Sequence, residues 1–166
     1  RRYGIRLIGP NCVGMLNPRH GVTATFSSEL KSKMPRPGSI VLLTQSGALG
    51  NSLMQSFNSL DIGLATWVST GNEADLGVLE LLEHFIDVDE AGLIVLFVEG
   101  LKHGERLLPL ARRAHAAGKR VVVLRAGRSA LGRAASLSHT GKLAGAWKVW
   151  QGVSAQAGLI EVQSVD

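Results

Sequence analysis

The sequence contains a single cysteine, Cys12, among 166 residues. That excludes a disulfide framework and a cysteine-rich zinc site within the chain. Aromatic residues make up only 5%, so the core must be built from Val, Leu, Ile and Ala. No apolar run approaches the roughly 20 residues of a membrane-spanning helix, and no membrane partner is expected. The chain opens Arg1-Arg2-Tyr3-Gly4 without the apolar stretch of a signal peptide. No two glycines are separated by one residue, so the GxGxxG dinucleotide fingerprint is missing. Gly141-Lys142 resembles the end of a P-loop, but the position five before Gly141 is Ser136. GxSxG and HExxH motifs are also missing. These absences disfavour a self-contained dehydrogenase, P-loop NTPase, α/β-hydrolase or zinc protease, and no metal site is expected.

What is present suits a packed domain. Apolar residues reach 45% and charged residues 19%, enough to bury a core and too little charge for disorder. The net charge is +5. The basic residues are scattered and no aromatics interleave with them, so no nucleic-acid partner is expected. The excess reads as a solvated surface with a local preference for an anionic small molecule. The lack of an initiator Met and the ending Ser164-Val165-Asp166 predict an excised piece of a longer, soluble, cytoplasmic protein.

The chain changes character near Pro37. Before it, Ile5-Arg6-Leu7-Ile8 is a short strand-like run stopped by Gly9-Pro10-Asn11, and an irregular stretch follows. Residues 1–37 therefore read as the end of one domain plus a linker, and residues 38–166 as a second domain. From Ser39 the pattern is regular. Ser39 to Thr44 is an apolar run typical of a strand buried on both faces. A helix follows to about Leu60, with Leu49, Leu53, Met54, Phe57 and Leu60 on one face. Strands are predicted at Leu64 to Val68, Leu93 to Val98, Val121 to Leu124 and Leu159 to Val162. Helices are predicted at Asp75 to Ile86, Glu105 to Ala117 and Ala146 to Ala157, with a long loop from about Ala126 to Gly145. Alternating strands and helices imply an α/β fold: a three-layer parallel sheet of flavodoxin-like or Rossmann-like type. Ligands of such folds sit at the carboxyl ends of the strands, near the topological switch point.

Four segments fall there. Ser46-Gly47-Ala48 follows the first strand. Ser46 can cap the helix, and the first-turn N–H groups form a seat for phosphate or carboxylate; a plain capped turn would look the same. His139 lies in Ser138-His139-Thr140-Gly141, within the long loop. Connections of that length are usually functional, and small neighbours leave the imidazole reachable as acid, base or nucleophile; an incidental surface His is the alternative. His20, His84, His103 and His115 are read as incidental. Glu99 ends the third strand, where its carboxylate either enters the ligand crevice and orients an imidazole or simply closes an apolar strand. Cys12, in Gly9-Pro10-Asn11-Cys12-Val13-Gly14, reads as a small hydrophobe rather than a nucleophile, because no base neighbours it.

Taken in order, Ile8 to Gly14, Ser46-Gly47-Ala48, Gly71-Asn72-Glu73-Ala74-Asp75, Glu99-Gly100 and Ser138 to Gly141 resemble the α-subunit half of the succinyl-CoA synthetase superfamily. The pattern is most similar to the NDP-forming (ADP-forming) acyl-CoA synthetases, of acetyl-CoA and feruloyl-CoA synthetase type. The resemblance spans essentially the whole chain. It implies a flavodoxin-like succinyl-CoA-ligase domain over residues 38–166, preceded in residues 1–37 by the exit of a CoA-binding Rossmann domain. It implies an acid–thiol ligase that joins a small carboxylic acid to CoA, with ATP cleaved to ADP and phosphate through a phosphohistidine. His139 would be the phosphorylated residue and Glu99 the carboxylate that positions it. Ser46, Gly47 and Ala48 would hold the phosphate, and Asn11 and Cys12 would lie near the acyl and CoA end. CoA and ATP with Mg²⁺ would be substrates, with an ATP-grasp domain or subunit and the CoA-binding domain as partners. An oligomer is allowed, and the fragment alone should turn over poorly. The Gly-Asn-Glu-Ala-Asp run does not favour succinate. The alternative is a non-catalytic, CoA-responsive regulatory domain of a protein acetyltransferase. A flavin-binding domain of the same fold has few aromatics to stack on the ring.

Overall fold

A computed structural model describes residues 3–27, 30, 33–126 and 147–164. Strands are Gly14–Asn17 (β1), Val22–Thr25 (β2), Pro37–Thr44 (β3), Leu64–Ser69 (β4), Leu93–Val98 (β5), Arg120–Arg125 (β6) and Ile160–Val162 (β7). Helices are Gly47–Ser59 (α1), Val78–Ile86 (α2), Leu107–Ala116 (α3) and Trp147–Ala157 (α4). The sheet runs β2-β1-β4-β3-β5-β6-β7. From β4 to β7 every neighbouring pair is parallel. The expected α/β sheet of flavodoxin-like type is therefore present.

The strand order places the site. The chain steps from β3 to β4 in one direction, then returns past β3 to β5, β6 and β7. Right-handed crossovers then put α1 on one face and the later helices on the other. Two apolar layers result. Leu53 and Met54 of α1 pack with Leu16, Leu42, Leu64 and Trp67 on the first face. Leu79, Leu82 and Phe85 of α2 and Leu107, Leu110 and Ala114 of α3 cover the second, against Val41, Leu43, Ile94 and Leu96. The central strands alternate between these two layers, which is why β5 is apolar at every position and β3 is apolar from Ile40 to Leu43. The direction reverses between β3 and β5, so their carboxyl ends open a crevice there.

The amino-terminal stretch departs from expectation. The Ile5–Ile8 run contributes only an isolated bridge between Ile8 and Leu76. The supposedly irregular residues instead form the β1–β2 hairpin, which joins the sheet antiparallel to β4 through Met15↔Val68 and Leu16↔Trp67. Only Leu16 of the hairpin is fully buried. The Val22-Thr23-Ala24-Thr25 alternation is four residues long and mostly exposed, so the signal is short, and the hairpin is fixed by pairing at a sheet edge.

Helix α2 begins at Val78 rather than Asp75. Asp75 is engaged elsewhere: it accepts from Arg6 Nε at 2.9 Å and from the Leu7 N–H at 3.0 Å. Glu73 Oε1 accepts the Val78 N–H at 3.0 Å, and Glu80 Oε2 accepts the Gly77 N–H, also at 3.0 Å. The helix start is thus set by two carboxylates that meet its orphan donors. Leu60, expected on the inner face of α1, is 70% exposed, because the helix ends at Ser59 and Leu60 turns away as its C-cap.

Candidate functional site

The crevice at the switch point is a cleft of about 450 Å³. Four chain segments and one helix start build it. From the amino-terminal segment come Asn11, Cys12 and Val13, joined by Phe26 after β2. From the end of β3 come Gln45 and Ser46, followed by Gly47 and Ala48 of α1. The loop after β4 contributes Gly71 and Asn72, and the end of β5 contributes Glu99. Six residues singled out in the sequence, Asn11, Cys12, Ser46, Gly47, Ala48 and Glu99, therefore line one cleft. His139 and most of its long loop lie outside the described residues.

Ser46 is the N-cap of α1, with extended backbone at φ −98° and ψ 122°. Its Oγ accepts the Leu49 N–H at 3.3 Å. A helix start leaves the first N–H groups without helical acceptors. Gly47 and Ala48 line the cleft, so the positive end of the helix dipole lies at its wall. The Ser46 hydroxyl keeps its own proton to donate, since only its oxygen is used by the cap. Gly47 is needed for closeness: a Cβ there would sit 2.1 Å from Val13 Cγ2.

The opposite wall is two interlocked loops. Asn72 N–H donates to Pro10 O at 2.9 Å and Ala74 N–H to Gly9 O at 2.8 Å. Asn11 Nδ2 donates to Asn72 Oδ1 at 3.2 Å. Asn11 and Glu73 hold left-handed backbone, with φ 55° and 56°. Gly71, at φ +57°, lies so near the first loop that a Cβ would meet Asn11 O at 2.3 Å and Pro10 O at 2.4 Å. Glu73 is only 5% exposed; its Oε1 accepts from Thr70 Oγ1 at 3.0 Å as well as from Val78. Its work is to hold the loop. Cys12 is half-buried and its thiol makes a weak contact to Ile8 O at 3.8 Å.

Beyond the cleft, burial pushes the Glu80 carboxyl up, but hydrogen bonds from the Gly77 N–H and Arg106 outweigh this and hold it below the usual range. Among the described residues no group of three His, Cys, Asp or Glu could hold a metal ion, and no helix is long and apolar enough to cross a membrane. Sequence reasoning left Gln45, Asn72 and Phe26 unassigned. Asn72 sits inside the Gly71–Asp75 run and Gln45 immediately precedes Ser46, and that adjacency is their only signal. Phe26, 79% exposed, had none.

Residues 37–166 match the family described as the succinyl-CoA ligase like flavodoxin domain. The chain is 38% identical to the α subunit of acetate–CoA ligase [ADP-forming] II of Pyrococcus furiosus, covering 99% of this chain and 35% of that protein. It is 34% identical to a trans-feruloyl-CoA synthase of an unknown prokaryote, covering 99% of this chain and 23% of that one. A solved structure of the dinucleotide forming acetyl-coenzyme A synthetase 1 of Ca. Korarchaeum cryptofilum, in complex with phosphate and ADP, superposes with a TM-score of 0.90. It is 34% identical and covers 99% of this chain and 35% of its own. The chain thus spans about a third or less of the length of these relatives. By sequence match and by fold together, it belongs to the succinyl-CoA ligase like flavodoxin domain family.

Proposed function

We propose that this chain is the phosphohistidine-bearing part of an NDP-forming acyl-CoA synthetase, an acid–thiol ligase of the cytoplasm. Residues 38–166 would be the catalytic flavodoxin-like domain, and residues 1–37 the exit of a CoA-binding Rossmann domain with its linker. An ATP-grasp domain or subunit would supply the nucleotide site, with Mg²⁺ arriving on ATP. The observation that carries the reading is the shared cleft. There a capped helix start, Ser46-Gly47-Ala48, and a carboxylate, Glu99, line one space at the switch point. The names of the relatives, acetate–CoA ligase and feruloyl-CoA synthase, support a small carboxylic acid as co-substrate.

The chemistry follows from the parts. The neutral His139 imidazole attacks the γ-phosphorus of ATP; an N–P bond forms, the P–O bond to ADP breaks, and ADP leaves. Glu99 accepts the other ring N–H and stabilises the charge the imidazole acquires. The phosphohistidine then meets the acid: a carboxylate oxygen attacks phosphorus, the N–P bond breaks, and an acyl phosphate forms. The CoA thiol attacks the acyl carbon and phosphate departs. Phosphoryl transfer depends mainly on positioning and on offsetting oxygen charge. The Gly47 and Ala48 amides and the Ser46 hydroxyl are suited to that task at the cleft wall.

The test uses the full-length enzyme with its ATP-grasp part, γ-labelled ATP and Mg²⁺. An acid-labile, base-stable phosphate should map to His139. His139→Ala should abolish it with the circular dichroism spectrum intact, and Glu99→Gln should slow it. Label retained in full by His139→Ala overturns the assignment. No label in the folded wild-type enzyme favours the regulatory reading.

A further inference from the structure

We propose that Gln45 is the positioning residue that aims Glu99 into the cleft, an inference that rests on the proposed role of Glu99. Strand β5 ends at Val98, so Glu99 and Gly100 leave the sheet and their peptide groups lose ladder partners. The carboxamide of Gln45, one residue past the end of β3 and 6% exposed, meets them. Its Oε1 accepts from the Glu99 N–H at 2.7 Å and from the Gly100 N–H at 3.1 Å. Its Nε2 donates to Gly100 O at 2.8 Å. The Gln45 main chain joins in, its N–H donating to Phe97 O at 3.2 Å.

One residue therefore holds successive peptide units on both sides of the Glu99 Cα. With the flanking peptide planes held, the direction of the Glu99 Cα–Cβ bond is fixed, and Gln45 and Glu99 line the same cleft. The chemistry demanded is specific. The site needs an acceptor for two N–H groups and, on the adjacent atom, a donor to a carbonyl. A primary amide supplies both without charge. Asparagine is one methylene too short for this reach. A carboxylate would set an oxygen against Gly100 O and bring a second negative charge toward Glu99.

The test is a double-mutant cycle on the intact enzyme, reading the single-turnover rate of phosphoenzyme formation from γ-labelled ATP. Gln45→Ala should slow it by on the order of 10- to 100-fold, the usual effect of losing a residue that orients a reacting one. The KM for ATP should stay within about twofold, because nucleotide binding is not touched. In a Glu99→Gln background the same substitution should slow the rate by less than about threefold, since its route of action is already gone. Gln45→Glu, which keeps the shape, should lose most at high pH and recover as pH falls and the introduced carboxyl gains a proton to donate to Gly100 O. It also serves if Gln45→Ala does not fold. A Gln45→Ala loss of equal size in both backgrounds, or no loss, overturns the proposal, as does a Gln45→Glu deficit independent of pH. An unaffected Glu99→Gln enzyme overturns the role of Glu99 and with it that of Gln45. A slowed Glu99→Gln beside a normal Gln45→Ala removes Gln45 alone.

Discussion

Gly71→Ala should open the cleft wall locally, and the structure sets the size of the effect. Gly71 holds φ +57°, a conformation that costs an L-residue about 1 kcal/mol or more. The added Cβ would also overlap Asn11 O and Pro10 O, at 2.3 and 2.4 Å. Both atoms are main chain, so no side chain can swing aside. Relief requires the loops to part, which breaks the Asn72 N–H to Pro10 O and Ala74 N–H to Gly9 O bonds. Each is worth about 1 kcal/mol net. The total is roughly 3 kcal/mol, about a hundredfold in the local opening equilibrium. Gly118→Ala is the control. Gly118 has φ +72° with nothing within 4 Å of its would-be Cβ, so only the conformational cost of about 1 kcal/mol applies. Hydrogen exchange of the intact protein reads both. The amides of Asn72, Ala74 and Leu76, all bonded across to the first loop, should exchange about a hundredfold faster in Gly71→Ala. Those after α3 should gain only about fivefold in Gly118→Ala. Equal accelerations in the two variants would refute the argument that backbone contact, rather than φ alone, makes this glycine necessary.

Two further predictions concern capping groups. Ser46→Ala should destabilise the fold by about 1 kcal/mol and Ser46→Gly by only a few tenths. Both should slow phosphorylation, because both lose the hydroxyl; thermal denaturation set beside the labelling rate separates the two effects. Glu80 has a folded pKa held below its unfolded value of about 4.3. Its carboxylate therefore contributes stability fully above that value and loses it as pH falls through the lower, folded pKa. The wild-type advantage over Glu80→Gln in urea denaturation should be full at pH 6 and shrink below about pH 4; an advantage that grows on acidification would reverse the sign of the argument.

The cleft also explains why weak motifs became informative once folded. Gly9-Pro10-Asn11 and Gly71-Asn72-Glu73 lie far apart in the chain, yet they share main-chain hydrogen bonds and one wall. Asp75 extends the clasp by holding Arg6 and the Leu7 N–H. The acidic residues of the Gly71–Asp75 run therefore serve loop geometry, and that geometry sets Asn11 and Asn72 side by side in the cleft lining.

The sequence by itself determined the α/β class and picked out six of the residues that line the candidate cleft. Val41-Leu42-Leu43 and Leu93 to Val98 are legible as central strands because burial on both faces demands unbroken apolar runs. Ser46-Gly47-Ala48 is legible because capping is a contact over three residues. Tertiary structure alone decided the rest. The β1–β2 hairpin belongs to the sheet because β1 pairs with the edge that β4 offers. Helix α2 starts late because Arg6 and Leu7 claim Asp75. Gln45 meets the Glu99 and Gly100 peptides across 54 and 55 residues of chain. A local pattern records which residues can be buried or can cap. It does not record which distant peptide groups lose their partners where a strand ends, and those groups set the geometry of the cleft.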